Sequence, residues 1–290
     1  MERSGSTVST FSVIKGSVRW ARSLHFILMG LLGLLLSPAF SVRNALLSSV
    51  FLFPSIFLVW LHTTMVNDAF DTEIDRRAHP ERPLVRGDIG FLRYRRIYTE
   101  VWLLSILLAV PIGFIPLISI MLFSLLASLY SVPPFRVRDR PYATVIIGLA
   151  SSLSFLAGYS AELWPASGRF FSVPPLSSTF FTVFLMILFA LSISPLVNAY
   201  KDREADRMAG ARNIYTILGA ETGKAVVSIL IPLLFSLPLI IFSSPLDMLV
   251  SLSFGLFAAL SFFRSGESMP VFVSYFAAML YFLARFLALL

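Results

Sequence analysis

The stretch Asn67 to Arg86, NDAFDTEIDRRAHPERPLVR, sets acidic residues and arginines side by side directly after a long apolar run. Within it Asn67, Asp71 and Asp75 recur at i, i+4 and i+8. If the segment continues the preceding helix, that spacing stacks the three on one face, about 6 Å apart along the axis. Like charges so placed repel unless a cation sits among them. The pattern recurs once, at Asn198, Asp202 and Asp206 in NAYKDREADRMAG, again at the end of an apolar segment. Two copies of N-x3-D-x3-D organise the chain.

The surroundings are those of a membrane protein. The 290 residues are 57% hydrophobic with a mean hydropathy of +0.83, and 13% are charged, against about 25% in soluble domains. With no cysteine, disulfides, thiolate chemistry and Cys-based metal sites are excluded. A net charge of +7 would suggest nucleic acid as a partner for a soluble chain. Here Lys and Arg fall almost entirely in short loops, which is a topology signal, and no nucleic-acid partner is expected. The N-terminal MERSGSTVSTFSVIKGSVRWARS shows no small-residue cleavage signal, so the first apolar run is read as a retained span. Nothing points to a separate soluble domain, and residues 1–290 are read as one transmembrane domain.

Nine apolar stretches approach the length of about 20 residues that crossing requires: Leu24 to Pro38, Ala45 to Val66, Ile97 to Pro111, Ile115 to Tyr130, Tyr142 to Tyr159, Phe180 to Val197, Val226 to Phe242, Leu246 to Phe263 and Val271 to Leu290. The expected fold is therefore all-α and polytopic. The N-terminal tail and the loops after spans two, four, six and eight hold 20 of the 23 Lys and Arg residues; Arg43, Arg169 and Arg285 fall on the other side. This places the N-terminus and both acidic motifs in the cytoplasm and the C-terminus outside. Arg285, inside the last span, either snorkels to an interface or pairs within the bundle.

Carboxylates within a membrane protein mark functional or paired sites. Asp68, Glu73, Glu81 and Asp88 are read as charges paired with neighbouring arginines. Repetition, helical phase and common sidedness set Asp71, Asp75, Asp202 and Asp206 apart. Hard oxygen ligands without His or Cys favour Mg²⁺, which is commonly held by one or two carboxylates together with substrate phosphates. Two carboxylate ladders suit Mg²⁺ around a diphosphate, and the nearby cations suit its oxygens: Arg76, Arg77, Arg82 and Arg86 after the first, Lys201, Arg203, Arg207 and Arg212 around the second. Any one of these cations can equally serve only to fix topology. At a membrane surface the diphosphate suggests a lipid diphosphate, with aromatic faces available to an allylic cation.

These residues resemble the UbiA superfamily of intramembrane prenyltransferases. Asn67-Asp68-x-x-Asp71-x-x-x-Asp75 followed by Arg82-Pro83-Leu84 and Gly87 is similar to that family's first signature, and Asp202-x-x-x-Asp206 followed by Gly210 to its second. Tyr130-Ser131-x-Pro133-Pro134-x-Arg136-x-Arg138 resembles the segment after the fourth span. Arg22 resembles a basic residue near the first, with Ser23 where a Pro is frequent. The resemblance implies nine helices around a central cavity. It also implies Mg²⁺ and diphosphate bound by Asn67, Asp68, Asp71, Asp75, Asp202 and Asp206, with Arg22, Arg82, Arg136, Arg138, Asn198 and Lys201 as diphosphate contacts and Tyr130 at the reacting end.

Family members transfer a prenyl group from its diphosphate to a ring carbon or an oxygen. DTEIDRRAHPERP is similar to archaeal members that attach a second geranylgeranyl group to geranylgeranylglyceryl phosphate, which is the acceptor expected here. Aromatic acceptors, as in quinone synthesis, are the alternative, and chlorophyll synthase is similar over the same run. LVRGDI, with Arg86 and Asp88, departs from the small polar residue common before this Gly. A divalent-cation transporter is the competing class. It predicts acidic groups on both membrane sides, whereas these cluster on one side with arginines that would repel a passing cation.

Overall fold

The apolar runs fold as helices, and breaks fall where the sequence carries turn chemistry. The computed structural model describes residues 9–208 and 210–288, apart from the side chains of Ala21, Arg77, Ala78 and Leu287. The helices are α1 (Thr10–Ser17), α2 (Trp20–Leu35), α3 (Val42–Phe70), α4 (Thr72–Ala78), α5 (Phe91–Ala109), α6 (Phe114–Ser131), α7 (Ala143–Ser160), α8 (Leu163–Ser167), α9 (Ser178–Met208), α10 (Ile214–Leu218), α11 (Ala220–Ser236), α12 (Pro245–Ser265) and α13 (Met269–Leu287). The tail before residue 9 and the end of the last expected span lie outside the described residues.

Among the described residues seven helices are long and apolar enough to cross a membrane, or eight if α1 and α2, bent by 77°, count as one broken span. The fold is thus all-α and polytopic, with seven or eight such helices where nine spans are expected. The difference lies at two places. The first stretch falls in α2, which is 16 residues long and reaches spanning length only together with α1. The third falls in α5, whose N-terminal half carries Arg93, Arg95, Arg96 and Glu100.

The chain divides into two compact units, Met1–Val137 with Leu149–Phe184, and Arg138–Gly148 with Leu185–Leu290. In the first, α2 and α7 meet backbone to backbone. A Cβ on Gly158 would lie 1.9 Å from the Gly30 carbonyl oxygen, and one on Gly33 would lie 2.0 Å from that of Phe155. Only glycine permits this approach, the small-residue packing on which membrane helices rely. Ser41 caps α3 through its hydroxyl and donates its backbone N–H to Glu162 Oε2 at 2.8 Å, holding a fully buried carboxylate at the start of the long helix. Leu61, Met65, Ile97 and Val101 bury the α3–α5 contact close to the first acidic motif.

In the second unit α9, α11, α12 and α13 pack around Val227, Ile231, Phe235, Ala258 and Phe262. α12 starts with Pro245 in its first turn and a reciprocal Ser244–Asp247 capping box. Arg285 pairs within the bundle. Its Nε donates to Asp247 Oδ1 at 3.0 Å, and Tyr281 donates to the same oxygen at 2.7 Å. Of the two fates open to Arg285 in the sequence, the fold realises pairing, because Asp247 is fully buried and needs a counter-charge.

Candidate diphosphate site

α3 delivers the first motif. It runs 29 residues without interruption, through Pro54, and ends at Phe70. Asp71 is the junction with α4, at φ −106° and ψ 10°. The expected straight ladder is therefore bent at its middle rung, although Asp71 N–H still donates to Asn67 O at 2.9 Å and Asp75 N–H to Asp71 O at 2.8 Å. The bend sorts the carboxylates into two sets, each neutralised by arginine.

Asp68 and Asp75 form one set, 2% and 3% exposed. Asp68 Oδ1 accepts from Arg19 at 2.6 Å and lies 3.0 Å from Arg82, and its other oxygen accepts from Tyr94 at 3.4 Å. Arg82 also donates to Asp75 in a very short contact, so one guanidinium bridges both acids. Burial, only partly offset by Arg82, pushes the Asp75 carboxyl up to about 6.

Asp71, 1% exposed, belongs to the other set. Asn67 Nδ2 donates to its Oδ2 at 2.5 Å, and Arg136 donates to Oδ1 at 3.2 Å and to Phe70 O at 3.4 Å. Asn67 also reaches the Ser131 hydroxyl at 3.4 Å, in the last turn of α6 beside half-buried Tyr130. Arg136 has φ +38°, the one non-glycine residue with positive φ among those described. That conformation costs on the order of 1 kcal/mol for a residue with a Cβ, and here the contacts to Asp71 and Phe70 hold it.

The second motif differs. α9 continues unbroken through Asn198, Asp202 and Asp206, so this ladder is stacked as expected. Asp206 accepts from Asn213 at 2.8 Å and lies 3.8 Å from Arg138. Asn213 is held in turn by its capping box with Thr216 at the start of α10. No hydrogen bond or ion pair among the described residues engages the side chains of Asn198, Lys201 or Asp202, which leaves the first two rungs of this ladder open where those of the first are closed.

The remaining cations separate into two kinds. Arg76 pairs with Glu73 at 3.2 Å and Arg86 pairs with Asp88, both on exposed surface as expected. Glu81 departs from its expected arginine and meets His79 at 3.3 Å, because Arg82 turns inward to the aspartates. Arg203 lies 4.2 Å above the Tyr200 ring and donates to Tyr200 O at 2.7 Å. Arg22 is exposed, and Arg19, three residues earlier, supplies the guanidinium that meets Asp68. Sequence reasoning missed Arg19, Tyr94, Ser131 and Asn213. Of these only Asn213 carried a readable signal, its N-cap spacing to Thr216.

The donor chemistry fits Mg²⁺ in a particular way. All candidate ligands are hard oxygens, yet among the described residues no three Asp, Glu or His side chains converge to hold a metal by themselves. A protein-only cage is not what Mg²⁺ needs, since it normally completes its shell with phosphate and water oxygens.

The fold and sequence have known counterparts. A solved structure of a UbiA homolog from Archaeoglobus fulgidus bound to DMAPP and Mg2+ superposes with a TM-score of 0.67 at 20% identity, covering 93% of this chain and 98% of that one. A chloroplastic 2-acylphloroglucinol 4-prenyltransferase of Humulus lupulus is 32% identical over 192 residues, 62% of this chain and 43% of that protein. Digeranylgeranylglyceryl phosphate synthase of Sulfolobus acidocaldarius is 28% identical over 189 residues, 63% of this chain and 59% of that protein. The chain thus spans less than two thirds of the length of either relative. The profile of the UbiA prenyltransferase family matches residues 23–289, nearly the whole sequence. This chain is a member of the UbiA prenyltransferase family.

Proposed function

We propose that this chain transfers a prenyl group from its diphosphate to a membrane-borne acceptor in an Mg²⁺-dependent reaction that releases diphosphate. The observation that carries the reading is the open second ladder. Asn198, Lys201 and Asp202 offer an amide, an ammonium and a carboxylate with no hydrogen-bond or ion-pair partner among the described residues, on a helix end that repeats the first motif. Family membership and the fold shared with a UbiA homolog bound to DMAPP and Mg2+ support it.

In this reading Asn67, Asp68, Asp71, Asp75, Asp202 and Asp206 hold Mg²⁺. When bound, Mg²⁺ neutralises the diphosphate and makes it a better leaving group. Arg82 and Arg136 are kept close by the aspartates they neutralise, and they turn to diphosphate oxygens as those aspartates take up metal. Arg138, Lys201 and Arg22 add positive charge, and Asn198 a polar contact. Tyr130 lines the reacting end. α5 and the bent α1–α2 pair complete nine spans, with the N-terminus and both motifs cytoplasmic and the C-terminus outside.

For the acceptor, the phosphate-bearing geranylgeranylglyceryl phosphate and a geranylgeranyl donor are the first choice. They are supported by the similarity to an archaeal synthase of that name. The similarity to the hop enzyme favours an aromatic acceptor as the second reading. Incubation of purified protein with Mg²⁺, geranylgeranyl diphosphate and one acceptor at a time separates the two. Product with geranylgeranylglyceryl phosphate and none with hydroxybenzoate or naphthoate compounds supports the first, and the reverse overturns it.

A further inference from the structure

On the far side of α3 from its aspartates lies a groove of about 320 Å³. His62, Val66 and Phe70 of α3 form one wall, Phe91, Arg95 and Tyr98 of α5 another, and the end of α6 closes it. At 100° per residue Val66 and Asp68 point roughly opposite ways from the helix axis, so this groove opens away from the Asp68 network. It has an apolar floor and no acidic residue in its lining. Two polar groups in it meet no partner among the described residues. The Arg95 guanidinium makes no hydrogen bond or ion pair with the described residues, whereas its neighbour Arg96 is tied to Glu100 at 3.0 Å. His62 is 7% exposed, and its Nδ1 lies 3.0 Å from the Tyr98 carbonyl. A carbonyl only accepts, so Nδ1 carries the proton, and Nε2, which has no partner, presents a lone pair.

We propose that this groove holds the headgroup of an anionic membrane phospholipid that also carries a free hydroxyl, a phosphoglycerol head being the simplest. Arg95 pairs with the phosphodiester. A phosphodiester has no proton to give His62 Nε2, but a glycerol hydroxyl has, which narrows the ligand from any anionic lipid to one with a hydroxylated head. Val66, Phe70 and Phe91 receive the glycerol backbone and the first carbons of the chains. Leu125 and Met121, exposed one and two turns along α6 from Ser128, continue the apolar track. The occupant is a lipid and not a soluble phosphate because most of the lining is apolar.

The test is native mass spectrometry of the full-length protein released from micelles doped with phosphatidylglycerol, phosphatidate or phosphatidylcholine. Phosphatidylglycerol should be retained at least about fivefold over phosphatidylcholine, and Arg95→Gln should remove that excess, as expected for a lost charge-assisted contact. Arg96→Gln, exposed and one residue along, should leave it intact. His62→Phe should reduce phosphatidylglycerol to the level of phosphatidate while keeping both above phosphatidylcholine. Equal retention of the three lipids by the unmodified protein overturns the proposal, as does an equal loss in Arg96→Gln. Displacement of the lipid by millimolar glycerol 3-phosphate would also overturn it, by showing a soluble phosphate site. Arg95 is exposed and unpaired, so its variant is expected to fold and keeps the test decisive even if His62→Phe does not.

Discussion

Replacing Arg82 by Gln removes the one guanidinium that bridges Asp68 and Asp75, and the structure indicates what that costs. Both acids are nearly fully buried and the Arg82 side chain is 11% exposed. Removing one partner of a buried ion pair typically destabilises by about 3–5 kcal/mol, because the remaining charge is left uncompensated. Arg19 still engages Asp68, so the lower end, about 3 kcal/mol, is expected. For a chain of this size that corresponds to a fall in melting temperature of roughly 6–10 °C. The four tryptophans allow it to be followed by intrinsic fluorescence in detergent with EDTA present. If Asp68 and Asp75 are metal ligands, Mg²⁺ with diphosphate supplies the missing positive charge, and the variant should gain more from that addition than the unmodified protein does. An unchanged melting temperature in EDTA would refute the bridging role. An equal gain in both proteins would refute the metal assignment at these two aspartates.

Three further outcomes are expected. Asp202→Asn should lower Mg²⁺-dependent diphosphate release by more than about 100-fold with a nearly unchanged melting curve, since its side chain has no partner to lose, whereas Glu73→Gln, on exposed surface, should leave both intact; the reverse ranking would place the functional face wrongly. Asp75 carries a carboxyl raised from 3.8 to about 6, so its protonated form is favoured by folding. Its contribution to stability is full below pH 4 and is lost as pH rises through about 6, by up to roughly 3 kcal/mol, and Asp75→Asn should flatten that part of a melting-temperature profile taken in EDTA. Asp247→Asn and Arg285→Gln should each lower the melting temperature through one half-buried pair, so the double variant should lose far less than the sum of the two; additive losses would show that the pair is not coupled.

Much of this was legible because the signals were local. Apolar runs of spanning length, the i, i+4, i+8 repeat and the sidedness of Lys and Arg depend on neighbours in sequence, and α9 carries its ladder as the spacing demands. The bend at Asp71 was not legible. Nothing in DAFDTEID breaks a helix, and Arg82 and Arg136, which engage the separated carboxylates, lie outside that run. Arg19 and Tyr94 were invisible for the same reason, since they reach Asp68 from 49 and 26 residues away. The seven helices that are apolar enough to cross leave out α5, where Arg93 to Glu100 dilute a helix that is otherwise long enough. Arg285 shows the limit from the other side: its partner Asp247 lies 38 residues earlier, in the cap of α12.

In the proposed reaction the two aspartate motifs act through Mg²⁺ on a prenyl diphosphate. The measurement that tests it most directly is diphosphate released by the purified protein from geranylgeranyl diphosphate with an acceptor present, counted against prenylated product, with and without Mg²⁺, for the unmodified chain and for Asp71→Asn and Asp202→Asn. One diphosphate per product in the unmodified chain, lost without Mg²⁺ and in both variants while their melting curves persist, is the predicted result. Product formation that persists without Mg²⁺, or in either folded variant, would contradict it.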